Sequence, residues 1–121
     1  MHELKIKRVY EEKSGDDGQR ILIDRLWPRG VKKEDAEIDK WMKDIAPTSE
    51  LRKWFHQDLE RFLEFKARYK KELAEYEPAI AEVEEVISDL ETDDVTLIYA
   101  AKNEQRNHAI VLKAFIDKKM K

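Results

Sequence analysis

The sequence predicts an α/β fold, a small and mostly parallel sheet flanked by helices in one layered domain over residues 1–121. Three observations predict it. Two short runs, "RILIDRL" at 20–26 and "VTLIYAA" at 95–101, are apolar on successive residues, as strands covered on both faces are. Between them, apolar residues recur at three- and four-residue steps, the spacing of amphipathic helices. A further helical pattern follows the second run, so strands and helices alternate along the chain, which favours parallel pairing through helical crossovers.

The elements follow in order. In "ELKIKRVYE", residues 3–11, Leu4 and Ile6 alternate with Lys5 and Lys7, predicting a strand with one wet face. "KSGDDG" at 13–18 is turn chemistry. The run at 20–26 is a central strand, stopped by Pro28 and Gly30. From Glu34 to Ile45 the residues Ile38, Trp41, Met42 and Ile45 sit at helical spacing and predict a short helix closed by Pro47. Thr48 is suited to cap the next helix, with Glu50 in its first turn. One apolar stripe then runs from Leu51 to Tyr76, with a break near Gln57 if Asp58 acts as a second cap. Pro78 fits a first-turn position, and Ile80, Val83, Val86, Ile87 and Leu90 continue as another helix. The polar turn 91–94, the strand at 95–101 and a closing helix marked by His108, Val111, Leu112, Phe115 and Ile116 complete the chain.

Composition bounds what such a domain can do. With no Cys, disulfides, thiolate metal sites and a cysteine nucleophile are excluded, and three His leave a transition-metal site unexpected. No metal or redox cofactor is required by any motif. The N-terminal "MHELKIKRVY" lacks the apolar block of a signal peptide and no run is long enough to span a bilayer, so the expected setting is the cytoplasm, away from membranes. Lys plus Arg number 24 against 27 Asp plus Glu, a net charge of −3, which argues against nucleic acid as a partner. Any anion site must therefore be a local basic cluster. A P-loop, a nucleophile elbow and a dinucleotide glycine fingerprint are absent.

In open α/β sheets ligands bind outside the carboxyl ends of the strands. Here those ends carry "DRLWPRG" at 24–30 and "KNEQRNH" at 102–108, which places both on one rim. Arg25 and Arg29, four residues apart across a Pro-containing turn, could converge as a fork for phosphate or carboxylate. Lys102 and Asn107, at the start of the last helix, add a cation and backbone amides suited to an anion. Asp24 and His108 are the candidate proton-handling groups if the site is catalytic. Each has a structural reading too: Asp24 bonding loop amides, Trp27 and Pro28 packing, Asn103 or Asn107 capping a helix, and His108 as a hydrogen-bonded packing residue. His56, in "WFHQDLE", has no companion in its local sequence and reads as surface or packing.

Four blocks, "DGQRILIDRLWPRG", "WMKDIAPTSELRKWF", "FKARYKKEL" and "VTLIYAAKNEQRNHAIVL", cover most of the chain in order. On them the chain resembles the DUF488 family, in its branch of small bacterial and archaeal proteins similar to YeaO. The resemblance implies an α/β fold and no defined activity, the family being an uncharacterised one. Broader members often carry a Cys-His-Arg triplet after the last strand, where this chain has Asn107, His108 and Ala109. Close relatives often read Gly-His-Asp after the Trp-Phe pair, where this chain has His56, Gln57 and Asp58.

Two functional expectations result. The first is an anion-accepting crevice formed by Asp24, Arg25, Arg29, Lys102, Asn107 and His108, taking a phosphorylated small molecule or nucleotide. The second is a non-catalytic protein-interaction module in which "DRLWPRG" stabilises the strand-to-helix corner. Oligomeric state is left open by either.

Overall fold

The computed structural model describes residues 2–121. Four strands, β1 (Leu4–Arg8), β2 (Gln19–Leu22), β3 (Lys40–Trp41) and β4 (Val95–Tyr99), form one sheet in the order β1-β4-β2-β3, all pairs parallel. Five helices accompany it: α1 (Lys33–Ala36), α2 (Ser49–His56), α3 (Phe62–Glu75), α4 (Glu77–Asp89) and α5 (His108–Lys119). Among the described residues no helix is long and apolar enough to cross a membrane.

Alternation along the strands sorts the core into two faces. Ile21, Ile23, Leu97 and Tyr99 point to one side, where α2, α3, α4 and α5 close the main core. Leu22 and Ile98 point to the other, where Val9, Ala36, Trp27, Ile38 and Trp41 make a smaller cluster. All five residues of β4 are buried, as its uninterrupted apolar run requires of a strand paired on both edges. The helix breaks fall where capping chemistry puts them. Thr48 Oγ1 accepts from the Leu51 amide at 3.3 Å, Asp58 caps a 3-10 turn at Leu59–Arg61 that leads into α3, and Pro78 lies in the first turn of α4.

The segment 34–45 departs from its helical pattern. Only Lys33–Ala36 is helical; Glu37 enters the left-handed region (φ 48°) and ends it, and the chain then pairs β3 with β2, Ile21 opposite Lys40. The physical reason is that the four apolar residues serve two different cores. Ile38 and Trp41 pack in the outer cluster, while Met42 and Ile45 enter the main one. A helix would put all four on one face.

Beneath the outer cluster lies a buried charge network. Arg20, 2% exposed, donates from Nη1 to Asp17 Oδ2 at 2.6 Å, from Nε and Nη2 to the Ala36 carbonyl at 3.2 and 2.9 Å, and from Nε to the Glu37 carbonyl at 3.2 Å. It thus closes the C-terminus of α1. Asp17 also accepts from Lys7 Nζ at 2.8 Å and from the Ser14 amide at 3.0 Å. Burial alone would raise the Asp17 pKa, but Lys7, the Ser14 amide and Arg20 together outweigh it and lower the value from 3.8 to about 2. A depressed carboxylate pKa stabilises the fold above its unfolded value, and that stability is lost as pH falls through the folded one. The wild type should therefore lose on the order of 2 kcal/mol between about pH 4 and pH 2. Denaturant midpoints over that range should fall less steeply in Asp17→Asn; parallel curves would show that Asp17 does not carry the effect.

Candidate functional site

The carboxyl ends of β2 and β4 meet at one rim. After β2 the Ile23 amide still donates to the Ile98 carbonyl at 3.0 Å, and the next residue, Asp24, turns its carboxylate across to β4. Oδ2 accepts from the Ala100 amide at 3.0 Å, and Oδ1 stands 3.0 Å from His108 Nε2. That nitrogen also lies 3.2 Å from the Ile23 carbonyl. His108 Nε2 has two oxygens within reach, one from the Asp24 carboxylate and one from the Ile23 carbonyl. The Asp24–His108 pair thus braces both strand ends to the first residue of α5.

Asn107 is the N-cap of α5. Its Oδ1 accepts from the Ile110 amide at 3.0 Å and its Nδ2 donates to the Asn103 carbonyl at 2.8 Å. Asn103 Oδ1 in turn accepts from the Gln105 and Arg106 amides at 2.9 and 2.8 Å, which fixes the loop between β4 and α5.

Beside this brace opens a cleft of about 770 Å³, walled by the two strand ends, α2 and the 102–108 segment. Arg25, Arg52, Lys102 and Arg106 line it, with His56 and His108, and Asp24 is its single carboxylate among the described residues. None of the four cations forms an ion pair with a carboxylate among those residues. In a chain of net charge −3 this is a local reversal of sign. The remaining wall is largely apolar, with Leu26, Pro28, Phe55, Leu59 and Phe65 among its residues.

Five of the six sequence-predicted residues that bear on ligand binding lie in the cleft wall. Asp24, Lys102, Asn107 and His108 all line the cleft. Arg25 lines it too, but Nε and Nη2 donate to the Pro47 and Ala46 carbonyls, each at 3.2 Å, so it holds the lip of the cleft as well as charging it. That lip is tied further by Tyr69 Oη donating to the Ile45 carbonyl at 2.5 Å, Glu82 accepting from the Ile45 amide at 2.6 Å and Glu72 accepting from Thr48. Burial raises the Tyr69 pKa well above its ordinary value, keeping it the donor this tie needs.

Arg29 is placed differently. It is exposed and not part of the cleft wall, so no Arg25–Arg29 fork forms. The turn explains it: Val31 bonds back to the Pro28 carbonyl at 3.4 Å, Trp27 Nε1 donates to the Val31 carbonyl at 2.7 Å, and Gly30 takes φ +78°, which together carry residue 29 away. Trp27 packs edge-on against Trp41 at 5.4 Å. In place of Arg29 the structure supplies Arg52 and His56 from α2, and Arg106 from the loop. Arg52 Nε is covered and has no hydrogen-bond partner. Burial, then the charges of Arg52 and His108, lowers the His56 pKa. The signal that marks these two is their i,i+4 spacing beside the buried Leu51 and Phe55, a second, basic stripe on one helix.

A family model described as the inactive DUF488-N3 subclade matches residues 3–121. The chain is 44% identical over 109 residues to the uncharacterised protein YeaO of Escherichia coli, an alignment covering 90% of this chain and 92% of that one. It is 41% identical over 109 residues to an uncharacterised protein of Mycobacterium tuberculosis, covering 90% and 89% respectively. No solved structure matches it.

Proposed function

We propose, given that the chain belongs to the DUF488 family and its inactive DUF488-N3 subclade, that its cleft binds a phosphorylated small molecule or nucleotide without transforming it. The observation that carries this reading is the set of four cations around one cleft whose single carboxylate among the described residues is held by the Ala100 amide and stands beside His108. A volume of about 770 Å³ lies within the range of small-molecule sites. Guanidiniums without carboxylate partners favour phosphate, which they bind through charge-assisted hydrogen bonds.

The absence of catalysis rests on where the polar groups go. Position 107, where broader relatives resemble a Cys-His-Arg triplet, holds an Asn whose amide caps α5 on one side and bonds Asn103 on the other. Among the described residues no Ser, Thr or Cys lines the cleft with His108. A second reading, an interaction module built on "DRLWPRG", has in its favour that Asp24, Arg25 and Trp27 all have internal partners.

The test is a calorimetric titration with inorganic phosphate and ADP at fixed ionic strength. Binding in the wild type should weaken about tenfold or more in Arg52→Ala, the expected loss of one charge-assisted contact. It should change little in Arg29→Ala. Absence of binding in the wild type, or equal loss in both variants, rules out this cleft and favours the module.

A further inference from the structure

We infer that the portion of the ligand beyond its anionic group is an aliphatic chain, so that the cleft takes an amphiphilic anion, an alkyl phosphate or a fatty carboxylate, in preference to a nucleotide. The inference rests on the anion-binding reading above and specifies its ligand. A nucleotide needs two things besides a phosphate site: a flat surface for the base and polar groups for its edge and sugar hydroxyls. The cleft supplies little of either.

Its aromatic rings are already packed on other rings. Phe55 stacks on Phe65 at 4.2 Å and 14°, Phe65 stacks in turn on Tyr69 at 5.6 Å, and Trp27 is held edge-on to Trp41. Its neutral polar side chains are equally engaged. Asn103 and Asn107 are the two side-chain amides in the wall, and each closes the loop or caps α5; Asp24 gives Oδ2 to the Ala100 amide, and its Oδ1 is buried beside His108. No Ser, Thr, Gln or Tyr lines the cleft among the described residues.

What the wall does offer is aliphatic surface beside cations. Leu26, 65% exposed, lines it with the half-buried Leu59, Ala100 and Ala101 and the buried Ala46 and Pro47. An exposed Leu in a wall shared with guanidiniums that have no carboxylate partner is covered best by a molecule that is apolar at one end and negative at the other. Charge complementarity sets the head, and burial of methylenes would set the affinity.

The experiment is a titration of the intact protein, below micelle concentrations, with inorganic phosphate, butyl, hexyl and octyl phosphate, octanoate, octanol and ADP. Methyl chemical shifts of Leu26 and Leu59 serve as the local readout. Each added methylene should tighten alkyl phosphate binding by up to about fourfold, the factor that ~0.8 kcal/mol per buried CH2 implies. Octanol should bind far more weakly than octyl phosphate, and the comparison with octanoate tells which head is preferred. Leu26→Asn should reduce the chain-length dependence while leaving phosphate affinity unchanged. ADP binding more tightly than octyl phosphate, or affinity independent of chain length, overturns the inference and leaves the anion site standing. Failure of phosphate and every alkyl phosphate removes both.

Discussion

Gly18→Ala should destabilise the protein by on the order of 4 kcal/mol or more, a large share of the roughly 5–15 kcal/mol that holds a domain folded. Gly18 sits at φ +64° and ψ −134°, a backbone region that side chains avoid. A Cβ there would lie 2.1 Å from the Asp94 carbonyl oxygen and 2.6 Å from its carbon. That oxygen cannot retreat, because it accepts from the Gln19 amide at 2.9 Å in the first rung between β2 and β4. Relief of the clash therefore means prising apart the two central strands. Gly15 is the control: nothing lies within 4 Å of its would-be Cβ, so Gly15→Ala should leave thermal melting nearly unchanged. Similar melting for Gly18→Ala and wild type would mean the approach at residue 94 is slack.

Arg20→Met is expected to cost about 3–5 kcal/mol, the range for breaking a buried ion pair from one side. The substitution keeps much of the apolar stem but strands Asp17, whose remaining cation is Lys7, and leaves the Ala36 and Glu37 carbonyls without donors. The double variant Asp17→Leu with Arg20→Met should recover part of the loss, since no lone charge is then buried. Denaturant unfolding of the four proteins forms a double-mutant cycle. Strict additivity would show that the pair acts as two separate residues.

Much of this architecture is visible in the residue pattern. "RILIDRL" and "VTLIYAA" become the two interior strands because continuous β-branched runs have no face to give to water, and Thr48, Asp58, Pro78 and Asn107 mark helix starts by chemistry that acts locally. What stays hidden is whatever depends on which core a residue joins. Ile38, Trp41, Met42 and Ile45 match a helix by spacing, yet two face the outer cluster and two the inner. The same holds for the cleft. Asp24, Lys102 and His108 follow from strand ends meeting at one rim, whereas Arg52 and His56 reach it from a separate helix, well after Asp24 in sequence, through packing of Phe55 against Phe65. Arg29 falls outside because a local turn, set by Pro28 and Gly30, overrides its nearness in sequence to Arg25.

The position of β4 between β1 and β2 has a temporal corollary. Chain synthesis produces both outer partners early, but the element that joins them is made after residue 94, so β1 has no strand to bond until residues 95–99 exist. A product halted before that point would carry the four helical segments α1 to α4 around an unfilled seam. Quality control, whether by proteolysis or by a chaperone, would thus meet one abrupt threshold, the emergence of β4, in place of a graded series of partly built sheets.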